Sequence, residues 1–108
     1  MRAVLMVLML IGGESETKAY TLIGAGESSC GAWTEYRRSP GTTKALMDIS
    51  WVTGFLSGVG AVGNDGADPL DGVDKDGLSG WIDNYCQSNP IERIYQAAKA
   101  FYYAHPHH

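Results

Sequence analysis

The chain has 108 residues, 44% of them hydrophobic, with 8 Lys and Arg against 12 Asp and Glu and a formal charge of -4. That length sets one small domain with a single core. The acidic balance argues against nucleic acid as a partner, because counterion release needs a basic stripe and Arg37-Arg38 is the only adjacent basic pair, read here as a solvated helix end.

Residues 1–19 differ in character from the rest of the chain. Met1 and Arg2 give a basic start, Ala3 to Ile11 are an unbroken apolar run, and Thr17-Lys18-Ala19 puts small residues three and one positions before a cut. The run is too short to span a bilayer and fits a secretory signal cleaved after Ala19. Glu14 and Glu16 are untypical of that region, and a buried N-terminal helix is the alternative. The expected organisation is a signal peptide at 1–19, one domain at 20–108, and a periplasmic or secreted location. Removal of the signal takes two charges of each sign and leaves the net charge at -4.

Cys30 and Cys86 are the only cysteines. In an oxidising compartment an even pair in a small domain is read first as a disulfide, and closing so long a loop is worth roughly 4 kcal/mol by loop-closure entropy. Neither cysteine has His or Cys neighbours at ligand spacing, so no metal site and no cofactor are expected. The three histidines, His105, His107 and His108, fall beyond the last periodic segment, in an expected frayed tail.

Tyr20 to Ser29 is rich in Gly and Ser and reads as an extended lead-in. A short helical turn around Trp33 to Arg37 is broken by Ser39-Pro40-Gly41, and Thr42 or Thr43 caps the next helix. Over about Thr43 to Val62, Leu46, Ile49, Val52, Phe55, Leu56 and Val59 recur at helical steps. Gly54, Gly58 and Ala61 form a small-residue stripe beside them, as in closely packed helix pairs. Lys44 and Asp48 before the stretch and Asn64-Asp65 after it leave too few apolar residues for a span, so two soluble helices packing closely are expected, and a homodimer is compatible.

Asn64 to Gly77 carries Asp65, Asp68, Asp71, Asp74 and Asp76. As an EF-hand registered on Gly77, the loop puts Gly72 where the first carboxylate belongs and Ser79 where an apolar anchor belongs. The aspartates therefore read as turn and cap residues, with Asp74 capping a helix and Asp76 in its first turn. Leu78, Trp81, Ile82, Tyr85 and Cys86 continue as an amphipathic helix. Asn89-Pro90-Ile91-Glu92 reads as the start of another, with Asn89 as cap and Glu92 completing a capping box. Ile91, Ile94, Tyr95, Ala98, Phe101 and Tyr102 then form its stripe. No alternating run competes, so the expected fold is all-α: a small bundle of three main helices and a short N-terminal one, pinned by one disulfide.

Three blocks together, Ser29-Cys30-Gly31-Ala32-Trp33, Trp51-Val52-Thr53-Gly54-Phe55-Leu56-Ser57-Gly58 and Trp81-Ile82-Asp83-Asn84-Tyr85-Cys86 with Asn89-Pro90, resemble a group of small exported proteobacterial proteins. That resemblance implies no activity. In layout the chain is also similar to periplasmic acid-stress chaperones of the HdeA type and to immunity proteins that block type VI amidase effectors, though architecture alone does not fix function.

No nucleophile has a histidine base within the expected core, and no basic group faces the acidic loop, so an enzyme is not expected. A small hydrolase would have to draw a carboxylate pair from Glu35 and an aspartate of the loop. The expectation is an exported binding protein with a protein partner, of the immunity, inhibitor or chaperone kind. The alternative is a subunit of a larger envelope or secretion assembly, with the Gly54 to Ala61 stripe facing another chain. Tyr36 and Tyr103, with Gly54 and Gly58, are the candidate contact residues.

Overall fold

Each helix begins where the chain supplies an acceptor for N–H groups that have no partner inside the first turn. In the computed structural model, which describes residues 20–63 and 68–105, these points divide the chain into α1 (Cys30–Tyr36), α2 (Thr43–Val62), α3 (Lys75–Ser88) and α4 (Ile94–Ala104), preceded by a 3-10 turn at Ala25–Glu27. Ser29 Oγ accepts from the Ala32 N–H at 3.0 Å. Thr42 Oγ1 accepts from Ala45 at 3.4 Å, and Asp74 Oδ1 accepts from Gly77 at 2.7 Å, the capping role expected of it. Among the described residues the architecture is all-α, as the periodicity predicts. The signal segment at 1–19, Asp65 of the acidic loop, and His107 and His108 lie outside the described residues.

The start of α4 departs from expectation. Asn89 does not open a helix but closes α3, its N–H donating to Cys86 O at 3.2 Å. Pro90 to Arg93 form a link, and α4 begins only at Ile94, with the Arg93 N–H donating to Gln96 Oε1 at 2.8 Å. The reason is competition for backbone groups. Pro90 O and Glu92 O accept from Gly31 N and Cys30 N at 3.0 and 2.6 Å, and Ile94 N donates to Ser28 O at 2.8 Å. These bonds lash the lead-in to the α3–α4 link, so a helix cannot run through it. Ile91, assigned to the stripe, is 92% exposed.

The core joins all four helices: Trp33 from α1, Val52 and Leu56 from α2, Leu78 and Ile82 from α3, Ile94 and Phe101 from α4. Each large side chain buried there is worth about 2 kcal/mol in transfer free energy. On α2 the buried face is Ala45, Asp48, Ile49, Val52 and Leu56, rotated slightly from the expected stripe, so Leu46 is 47% exposed. α1 packs on α3, and α4 packs on both α2 and α3. By length and composition α2 could cross a bilayer; in this fold its Ala45–Leu56 face is part of the core.

The disulfide is present. Cys30, the first residue of α1, is bonded to Cys86 in the last turn of α3, with Cα atoms 4.7 Å apart and both residues wholly buried. It ties together two helices that are not neighbours in sequence, across the whole length of α2.

Candidate functional site

An apolar concavity lies between the C-terminal half of α2, the outer face of α4 and the start of the lead-in. It encloses about 380 Å³ and is lined by Phe55 and Val59, by Tyr95, Lys99, Tyr102 and Tyr103, and by Tyr20 and Leu22. Helical steps of four, three and one along α4 put its four contributors on a single face, separate from the Ile94, Ala97, Ala98 and Phe101 face that enters the core. One face of α4 thus builds the bundle while the next lines the groove.

The third wall depends on Trp51. Its indole N–H donates to Ile23 O at 2.9 Å, and its ring stacks on Phe55 at 5.4 Å between centroids. The ring lies so close over the 3-10 turn that a Cβ on Gly26 would come within 2.4 Å of it. Gly24, at φ +105°, gives the chain the left-handed bend that brings Ile23 under the indole. Tyr20 and Leu22 are delivered to the groove from this anchored turn.

Lys99 is the formally charged member of the lining. Its Nζ donates to the Tyr20 hydroxyl at 3.2 Å and sits 5.8 Å from the centre of that ring. The Tyr20 hydroxyl bond holds the Lys99 ammonium above the ordinary lysine range. Its hydrogen-bond partner is a phenol hydroxyl, and among the described residues no carboxylate lines the groove. The arrangement can hold an apolar body and offer one cation to it.

A scan against protein-family models finds no match for this chain. Searches of curated proteins and of solved structures find none either.

The structure separates the expected contact residues. Tyr103 is 69% exposed on the groove rim. Tyr36 is half-buried in a different, shallow depression with Glu35, Ser39, Thr42 and Lys44, under the Lys44 ammonium at 5.6 Å. Gly54 and Gly58 lie on α2 beside the groove, but a Cβ at either would meet no atom within 4 Å. The close helix packing expected at these glycines is thus absent within the described fold, because α4 packs against the neighbouring face of α2.

Among the described residues, Glu35 and Asp74 of the acidic loop line different depressions. Gly72, Asp74 and Gly77 line a separate depression with Trp81, Phe101 and His105. Among the described residues no group of three His, Cys, Asp or Glu side chains is placed to hold a metal ion.

Two residues have roles that the sequence reading missed. Arg37, assigned to a solvated helix end, is paired with Asp83 across α1 and α3, at 2.8 and 2.9 Å. His105, assigned to a frayed tail, stacks on Phe101 at 4.0 Å and meets the Trp81 ring at its edge. Its ring Nδ1 lies 2.9 Å from Phe101 O and closes the end of α4. Aromatic area outweighs fraying there.

Proposed function

We propose that this chain is an exported binding protein without catalytic activity, and that the tyrosine-lined groove is its binding surface. The groove carries the reading. It is concave, largely apolar, built on helices rigidly joined by the core, and falls in the size range of small-ligand sites. Export is supported by the disulfide and by the signal-like character of residues 1–19. Cleavage after Ala19 would leave Tyr20, a groove residue, as the first of the mature chain.

A protein partner is the second reading, favoured by the exposure of Tyr103 at the rim. Of the partner-dependent roles, immunity or inhibition needs such a preformed aromatic surface. An acid-loosened chaperone needs native carboxylates whose protonation weakens the fold, whereas protonation of buried Asp48 acts in the opposite sense. A subunit role through the Gly54 to Ala61 stripe has no comparable preformed cavity.

The test compares two variant sets for capture of molecules from an extract of the exported fraction, with organic-soluble and protein material both measured. Val59→Trp, which fills the groove, should abolish capture. Glu35→Gln and Asp71→Asn should leave it intact. Loss of the cellular phenotype in either amide variant, with capture unchanged, would show that chemistry and not binding is the function.

A further inference from the structure

The groove is lined mostly by apolar and aromatic side chains, yet it contains an ammonium bonded to a phenol hydroxyl and to no carboxylate among the lining residues. In a protein of net charge -4, Lys99 is the one charged side chain among the described residues that line this aromatic wall. Its long stem lies along the tyrosine rings while Nζ reaches the Tyr20 hydroxyl, the position of a charged head at the mouth of an apolar slot. An apolar ligand without charge would shield this ammonium from water without replacing the lost solvation. A cationic ligand would be repelled. An anionic head would meet it directly and form a charge-assisted hydrogen bond.

Resting on the binding role proposed for the groove, we propose that it takes a free single-chain amphiphile with a carboxylate head, the head at Lys99 Nζ and the apolar tail between Phe55, Val59 and the tyrosine rings. The volume suits such a molecule, and the single ammonium among the rings matches a single anionic head. The same chemistry presented on an anionic bilayer is disfavoured, because the whole protein is acidic and would be repelled by that surface. Tyr20 is the adaptable element: its hydroxyl can pass from accepting the Lys99 proton to donating to the incoming carboxylate.

The purified, disulfide-intact protein reports binding through its own fluorescence, since Trp51 stacks on the groove residue Phe55. The probes are dodecanoate, dodecanol and dodecyltrimethylammonium below their micellar concentrations, and phosphatidylglycerol vesicles. Dodecanoate is expected to bind about tenfold more tightly than dodecanol, with the cationic amphiphile weakest. Lys99→Gln should remove that tenfold advantage and leave dodecanol unchanged. Val59→Trp should remove binding of all three, and Tyr103→Ala, at an exposed position where folding is not at stake, should weaken all three alike. Equal affinity for dodecanoate and dodecanol, indifferent to Lys99→Gln, would overturn the acid-head inference and leave the groove as a binding surface. Failure of every amphiphile to bind, or binding that survives Val59→Trp in a folded protein, would overturn the groove reading as well. Binding to vesicles with none to dodecanoate would also overturn the proposal.

Discussion

Asp83 on α3 accepts the indole N–H of Trp33 on α1 at 2.7 Å. The same carboxylate oxygen takes Arg37 Nε at 2.8 Å, and its second oxygen takes Arg37 Nη2 at 2.9 Å. One side chain thereby satisfies a wholly buried tryptophan and a bidentate guanidinium. It also aligns α1 with α3 along the same contact that the Cys30–Cys86 bond secures. The pair is about 30% exposed at each side chain, so part of its attraction is screened.

Asp83→Ala leaves the Trp33 donor without an acceptor inside the core, and a loss of about 2 to 3 kcal/mol is expected. Asp83→Asn retains one oxygen for the indole and should cost about half as much. Urea unfolding of the oxidised protein measures both. Equal losses in the two variants would show that the charge on Arg37, and not the indole hydrogen bond, carries the contribution.

Most of the bundle is legible in the sequence because periodicity records which face a helix buries. Leu78, Ile82 and Cys86 fall on one face of α3 and are all buried. α2 runs from Thr43 to Val62 as the caps and glycines indicate. The α3–α4 link is illegible because its conformation is set by bonds to residues 28 to 31, far off in sequence, and local capping signals cannot register them. Of the groove only Tyr103 is read as a contact residue from the sequence. Tyr95 and Tyr102 read as part of the core stripe because they adjoin it on the helical wheel, and the contributions of Tyr20 and Leu22 arise from a turn held by Trp51.

That turn yields the second prediction. Gly26→Ala places a methyl group 2.4 Å from the Trp51 ring, and the ring must leave the turn or the turn must lift. A loss of about 1 to 3 kcal/mol is expected. The effect should also be local: amide exchange should accelerate over Ile23 to Glu27 before it does in the core helices. Trp51→Phe, which loses the bond to Ile23 O, should accelerate exchange over the same residues. Unchanged exchange there in both variants would contradict the anchoring role of the indole.

Asp48 sets a pH dependence. It is 6% exposed on the core side of α2, and its Oδ2 has no hydrogen-bond partner among the described residues. Burial pushes its carboxyl up from 3.8 to about 6, against a smaller opposing effect of Lys44. The folded protein therefore holds this proton more tightly than the unfolded chain, so stability grows as pH falls from above 6 toward 4. The contribution is at most about 3 kcal/mol. Asp48→Asn should stabilise the protein at pH 7.5 and flatten its dependence over that window, as read by chemical unfolding at a series of pH values. A wild-type protein that loses stability from pH 6.5 to 4.5, with the same slope in the variant, would assign the titration elsewhere.

The glycine stripe of α2 gives the last prediction, and it is the one in which helix propensity and partner contact have opposite signs. Glycine inside a helix costs roughly 1 kcal/mol relative to alanine, through backbone freedom that the unfolded chain retains. A structural reason for keeping it would be the close approach of another element, yet added methyl groups at Gly54 and Gly58 would meet nothing within 4 Å. Gly54→Ala and Gly58→Ala should therefore each raise the stability of the isolated chain by about 0.5 to 1 kcal/mol in chemical unfolding. The amphiphile affinities should stay as they were, because neither glycine lines the groove. If instead either alanine weakens self-association, measured by sedimentation, or lowers stability in a concentration-dependent way, then a second helix packs on this face in solution. The homodimer or assembly-subunit reading would then gain the close contact that the single chain does not contain.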